Sequence, residues 1–333
     1  MSQSRLSLAL DGADLPVEGT ILVVGARADA DLSALPKERV RIVQRFRPDH
    51  DALKARGFSV SPDLTDTHAA AVLFLPRSRS AARAIVASVM DHLAPGAPVW
   101  VDGQKTDGVD SALKDIRARS EVSDVMSKAH GKVFRFAAPT DQRFDDWRAA
   151  ETEPAPGFVT LPGVFSADGI DKGSAALADA LSADLHGVVA DLGAGWGWLS
   201  AEILRRPAVR ELHLIEADSS ALDCARRNIA DPRARFHWAD AQAFQPERRF
   251  DVIVTNPPFH TERSADPALG VAFISAAARM LTPSGQLWLV ANRHLPYEKA
   301  MAALFRDVEE VGGTTGFKVL KASRPVTSPR SKR

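Results

Sequence analysis

Apolar residues along this chain fall into short β-branched runs, separated by amphipathic stretches in which they recur every three or four positions. That alternation is the signature of βαβ units building a parallel sheet. In the C-terminal half the runs are VVADL (188–192), LHLIEA (212–217), FHWADA (236–241), DVIVTN (251–256) and QLWLVAN (286–292), with helical periodicity between most of them. The end of the chain differs. VEEVGGTTGFKVLKA carries two strand-like runs around a Gly/Thr turn and predicts an antiparallel hairpin closing the sheet. Between residues 139 and 162 charge and proline are frequent and neither period is sustained, which predicts a linker. The chain therefore divides into an α/β domain over 1–150, a second over 157–322, and a basic tail over 323–333.

The halves resemble each other weakly. LAPGAPVWV (93–101) matches LTPSGQLWL (281–289) at Leu93/Leu281, Pro95/Pro283 and Trp100/Trp288. ILVVGARAD (21–29) resembles VADLGAGWG (189–197), and DHDALKAR (49–56) resembles DSSALDCA (218–225). Three segments in the same order predict a duplicated fold.

Composition narrows the class. Of 333 residues 45% are hydrophobic and 25% charged, ordinary values for a globular protein. Lys and Arg total 42 against 42 acidic residues, so no global positive field advertises nucleic acid, and a polyanion has to be held by a local patch. Cys224 is the sole cysteine, which excludes an internal disulfide and a cysteine zinc site and fits the cytoplasm. The histidines lack HExxH spacing, so no metal is expected. No apolar run approaches the roughly 20 residues of a membrane span, so no membrane partner is expected either.

The richest cluster is DLGAGWG, with Asp191, Gly193, Gly195 and Gly197 where the first strand of the second half meets a helix. Glycines there permit a tight turn and close backbone approach to a ligand, although the GxGxxG fingerprint is not met. The next strand ends in Glu216 and the third is read as ending in Asp240. Three acids at successive carboxyl ends of a parallel sheet describe a nucleoside pocket. The fourth strand runs into Asn256-Pro257-Pro258-Phe259. Two prolines stiffen the turn and remove two donors, leaving the Asn256 side chain and the Pro257 carbonyl as acceptors suited to an NH2 group. Phe259 is an aromatic on which a base can stack, and a base inside a duplex would have to be flipped to reach it. His260 is equally suited to placing a base and to being an ordinary loop histidine.

With PGVFSADGIDKGS, DLGAGWG, NPPFH, ANRHLPY and GFKVLKA, residues 158 to 322 resemble the class I S-adenosylmethionine-dependent methyltransferases, and among them the bacterial ribosomal RNA guanine-N2 methyltransferases. The resemblance implies two tandem Rossmann-like domains. Each would have a mostly parallel seven-stranded sheet with an antiparallel C-terminal hairpin, the first being degenerate. It implies S-adenosylmethionine as cofactor. Asp191, Gly193, Gly195 and Gly197 would line its methionine end, Glu216 would hold the ribose, Asp240 the adenine amino group, and Phe165 and Gly173 would help close the pocket. Asn256, Pro257 and Phe259 would position the guanine whose exocyclic N2 is methylated. The implied partner is ribosomal RNA or a ribosomal subunit, with small-subunit RNA favoured; oligomeric state is open, with a monomer favoured.

The first half departs from this pattern. Its loop VVGARAD keeps Gly25 and loses the other glycines, the repeat sets Arg47 opposite Glu216, and VLFLPRSRS replaces the NPPF strand end. It is expected neither to bind cofactor nor to catalyse. Arg77, Arg79 and Arg83, with Lys105 in the next loop, form a basic cluster suited to RNA phosphates or to a solvated helix face. Two other functions use the same residues: methylation of adenine N6 or of a protein glutamine, for which NPPY is the commoner motif, and an inactive RNA-binding assembly factor. Cofactor titration separates the last from an enzyme.

Overall fold

The computed structural model describes residues 4–13, 15–258 and 267–326. Phe259 and His260 lie outside the described residues. The chain divides into two compact units, one of residues 1–151 with 161–163, the other of 152–160 with 164–333.

The first unit runs α1 (Arg5–Leu10), β1 (Ile21–Val24), β2 (Val40–Val43), α2 (Arg47–Ala55), β3 (Ser59–Ser61), β4 (Ala70–Phe74), α3 (Arg79–Met90), β5 (Pro98–Gln104), α4 (Val109–Arg117), β6 (Val122–Lys128) and β7 (Gly131–Ala137). The second runs α5 (Lys172–Ala180), β8 (Gly187–Leu192), α6 (Trp198–Leu204), β9 (Val209–Glu216), α7 (Ser219–Asn228), β10 (Ala234–Trp238), β11 (Phe250–Thr255), α8 (Pro267–Met280), β12 (Leu281–Asn292), α9 (Tyr297–Leu304), β13 (Phe305–Gly313) and β14 (Phe317–Pro325). The sheets have orders β3-β2-β1-β4-β5-β7-β6 and β10-β9-β8-β11-β12-β14-β13, the same topology twice. Five strands of each are parallel and the last hairpin is antiparallel. The expected fold class is what the chain adopts.

Why the strands read as near-continuous apolar runs is now plain. Each sheet is covered on both faces, so residues of both parities are buried, and all six residues of β8 are buried. One cluster around Ile253, Ile274 and Leu289 fills one face of the second sheet, and another around Val189, Leu222 and Val290 fills the other. Matched register confirms the repeat. Trp100 sits beside Val72 and Arg135, and Trp288 beside Val254 and Lys321.

Two sequence expectations are corrected. The third strand of the second unit ends at Trp238, so Asp240 lies in the turn beyond it. Arg47 is not the counterpart of Glu216. The loop amides Gly25 and Gly193 donate to Val43 and Ile215 respectively, which makes Gln44 the residue matching Glu216. Arg47 opens α2 instead. The turns before α2 and α7 have the same length, so the similarity between the helices was itself out of register by three residues, close to one helical turn.

Candidate active site

In the second sheet β8 pairs with β9 on one side and β11 on the other, so chain connections diverge at its carboxyl end, where open α/β sheets form their clefts. The loop from Gly193 to Gly197 turns there. Gly193, Gly195 and Gly197 have φ of 76°, 56° and 92°, a region costly for other residues. Gly197 is also held by space, because a Cβ would stand 2.9 Å from Ile229 and 3.2 Å from Ala225 of α7. The other two border open space. Among the described residues, chain neighbours aside, no atom lies within 4 Å of a Cβ built on Gly195, and one on Gly193 would meet Phe273 at 3.7 Å and the Asn256 carbonyl at 4.0 Å. An open backbone cradle of this kind admits a ligand against the main chain.

The acids around the loop have distinct stations. Glu216 accepts from the Gly195 amide (2.8 Å) through Oε2 and from the Asp218 amide (2.8 Å) through Oε1. Each oxygen keeps a lone pair for a hydroxyl. Burial raises the Glu216 pKa above the ordinary carboxylate range, while the backbone donors oppose that shift. Asp191 is 1% exposed and accepts from the Ser200 hydroxyl of α6 at 2.7 Å. It braces the loop from beneath and does not line the cleft. Its own pKa is pushed up to about 7 by burial, with the Ser200 hydrogen bond opposing and Glu216 adding to the rise. Asp240 accepts from the Gln242 amide at 2.8 Å.

A cleft of about 440 Å³, counting its open mouth, brings together Phe165, Gly193, Gly195 and Asn256 of the expected residues. Phe165 is 66% exposed at its rim. Gly197, Glu216, Asp240 and Pro257 lie outside its lining. Gly173 is buried in the first turn of α5, where a Cβ would stand 3.2 Å from the Phe317 ring, so its smallness seats α5 on β14.

Asp171, Ser174, Ser166, Trp196, Trp198 and Leu199 also line the cleft and were not singled out from sequence. Asp171 left one local signal. It caps α5 by accepting from the Ser174 amide at 2.7 Å, and Asp before a helical run is a capping pattern. Asn228 likewise escaped notice. Its side chain donates to the Val159 and Trp196 carbonyls (2.9 and 2.8 Å) and accepts from the Val159 amide, pinning the entry segment to the glycine loop.

Asn256 follows β11, whose end is tied to β8 by the Thr255 hydroxyl donating to the Leu192 carbonyl at 2.8 Å. The Asn256 amide nitrogen donates to Asp171 (2.7 Å) and to Ser174 (2.9 Å). In the first unit the arginine cluster is paired with local acids. Arg79 and Arg83 share Asp115 at 2.8 and 2.9 Å, and Arg77 stands 3.8 Å from Asp107. Among the described residues no group of three or more His, Cys, Asp or Glu is placed to hold a metal ion, and no helix is long and apolar enough to cross a membrane.

Comparison with known proteins agrees with this geometry. Residues 11–149 match the family described as methyltransferase small domain N-terminal, and residues 156–321 match the methyltransferase small domain. The fold and cleft are thus those of a two-domain methyltransferase. The chain is 30% identical over 327 residues to the ribosomal RNA small subunit methyltransferase C of Hahella chejuensis, covering 92% of this chain and 95% of that one. It is also 30% identical over 321 residues to the protein of that name from Pseudomonas aeruginosa, covering 91% and 94%. The chain belongs to the ribosomal RNA small subunit methyltransferase C family. Its fold is shared with the T. thermophilus 16S rRNA N2 G1207 methyltransferase, solved with AdoMet and guanosine, at a TM-score of 0.79, with 24% identity and coverage of 97% of this chain and 92% of that one.

Proposed function

We propose that the enzyme transfers a methyl group from S-adenosylmethionine to the exocyclic N2 amine of a guanine in small-subunit ribosomal RNA. The observation that carries this reading is the pairing of an open glycine cradle with Asn256 at the edge of one cleft. The cofactor supplies an electrophilic methyl group on a sulfonium. Gly193 and Gly195 offer open backbone to its methionine end, with Asp191 bracing the loop from behind. Glu216 has lone pairs left for the ribose hydroxyls, and Asp240, in the turn after β10, is assigned to the adenine amino group. Phe165 covers the mouth.

The amine of guanine is a weak nucleophile because its lone pair is delocalised into the ring. The Asn256 Oδ1 and the Pro257 carbonyl accept its two hydrogens, which favours a pyramidal nitrogen with its lone pair free for in-line attack; the N–C bond would form as the methyl–sulfur bond breaks to leave a thioether, and the methylated amine would give up one proton to solvent. Phe259, the residue after the two prolines, is assigned the stacking face. Rate enhancement then comes from placement and from acceptors fixed before the reaction, with no covalent intermediate on the protein. The family points to a ribosomal substrate in the cytoplasm, and we assign the working unit as a monomer. The first unit is assigned an RNA-positioning part without cofactor.

Labelled S-adenosylmethionine incubated with purified small subunits, large subunits, their naked RNAs and total protein, followed by nucleoside mass spectrometry, tests this. N2-methylguanosine in small-subunit RNA, reduced roughly a hundredfold or more in Asn256→Ala, is expected. Label in N6-methyladenosine or in protein overturns the substrate, and no label anywhere overturns the enzyme reading.

A further inference from the structure

Asn256 can face its substrate in either of two ways, because the amide has two donors on one side and an acceptor on the other. Only one orientation serves a guanine amine. Had Asn256 presented its NH2 group, two donors would confront each other and the nitrogen would be held away.

We infer that Asp171 and Ser174 are positioning residues that set this orientation, an inference resting on Asn256 as the acceptor for the substrate amine. Both hydrogens of the Asn256 amide nitrogen are committed, one to Asp171 Oδ2 at 2.7 Å and one to Ser174 Oγ at 2.9 Å. Among the described residues nothing hydrogen-bonds to its Oδ1, and Asn256 lines the cleft. The reversed amide would set Oδ1 against a carboxylate, which only accepts. The asymmetry is therefore electrostatic as well as geometric.

The anchor is itself held. Asp171 Oδ2 also takes the Ser174 amide at 2.7 Å as the cap of α5, so the helix terminus fixes the carboxylate that fixes the amide. Gly173, between the two anchors, lets this first turn sit against the Phe317 ring, where a Cβ would be 3.2 Å from it. The chain thus brings residues 171 and 174 of a helix start to residue 256 of a strand end.

The test is steady-state kinetics with purified small subunits and S-adenosylmethionine. Asp171→Ala is expected to lower kcat by roughly tenfold to a hundredfold, with both KM values little changed, because an untethered amide loses placement in the reaction more than ground-state binding. Asp171→Asn, which keeps an acceptor and a helix cap, recovers a large part of the rate. Ser174→Ala leaves the backbone cap intact and gives a smaller loss, which separates positioning from a failure of α5 to fold. In an Asn256→Ala background, Asp171→Ala lowers kcat no further. A wild-type kcat for Asp171→Ala beside a slow Asn256→Ala overturns the inference, as do losses that multiply in the double variant. A wild-type rate for Asn256→Ala instead overturns the reading of Asn256 itself, and this inference with it.

Discussion

The two units share one strand order and differ around the loop that follows the first strand of each sheet. Gly25 and Gly193 make the same turn, with φ of 74° and 76° and amides donating to Val43 and Ile215. In the first unit a Cβ on Gly25 would strike the Phe74 carbonyl at 2.9 Å, whereas on Gly193 it would lie 4.0 Å from the carbonyl of Asn256, the residue in the matching place. The strand end closes on the loop in one unit and stands back from it in the other. Beside it, Gln44 repeats the station of Glu216. Its Oε1 accepts from the Phe46 amide as Glu216 accepts from Asp218, but its Nε2 donates to the Ala26 carbonyl at 2.7 Å. A carboxylate with spare lone pairs has become an amide satisfied within its own loop. Val23, matching Asp191 in register, puts apolar packing where the second unit buries an acid. Two side chains and the retreat of one strand end separate the two loops, and on these differences rests our assignment of the cofactor to the second unit.

The buried acid gives the largest expected effect. The Asp191 carboxyl lies near 7 in the folded protein against 3.8 ordinarily, so the native state holds its proton more tightly than the unfolded chain. That contribution to stability is fully present below about 3.8 and is lost as pH rises through about 7, an effect on the order of 4 kcal/mol. Asp191→Asn is expected to flatten this dependence and raise the urea midpoint at pH 7.5, with the difference from wild type shrinking toward pH 4. Equal midpoints at pH 7.5 would show that the acid carries no such burden.

Glu216→Gln copies the first unit's residue into the second. Losing acceptors for the ribose should weaken S-adenosylmethionine binding by tenfold to a hundredfold, about 1.5–3 kcal/mol, measured by calorimetry. Gly25→Ala comes next. It forces a left-handed residue against the Phe74 carbonyl and should cost about 2 kcal/mol in denaturant unfolding, without altering cofactor affinity. The smallest effect is expected of the reverse exchange. Gln44→Glu restores the carboxylate but leaves the strand end against the loop, so the number of cofactor sites should not change.

Much of this was legible in the sequence. The apolar runs located the strands, Trp100 and Trp288 marked the repeat, and DLGAGWG with NPPF marked the cleft, because turns and strand ends are written in adjacent residues. What escaped was contact between distant segments. Asp171 is local as a helix cap, yet its bond to Asn256 exists only once the start of α5 meets the end of β11. Arg79 and Arg83 read as free charge until α4 supplied Asp115. Gln44 was missed because similarity between helices overrode the register of the strands before them.

One of the two like folds is assigned the cofactor and the other is not. Equilibrium titration of S-adenosylmethionine onto the full chain, with Glu216→Ala and Gln44→Ala alongside, tests that assignment directly. One site per chain is predicted, with affinity collapsing in Glu216→Ala and unchanged in Gln44→Ala. Two sites per chain, or a single site lost with Gln44 and kept without Glu216, would contradict it.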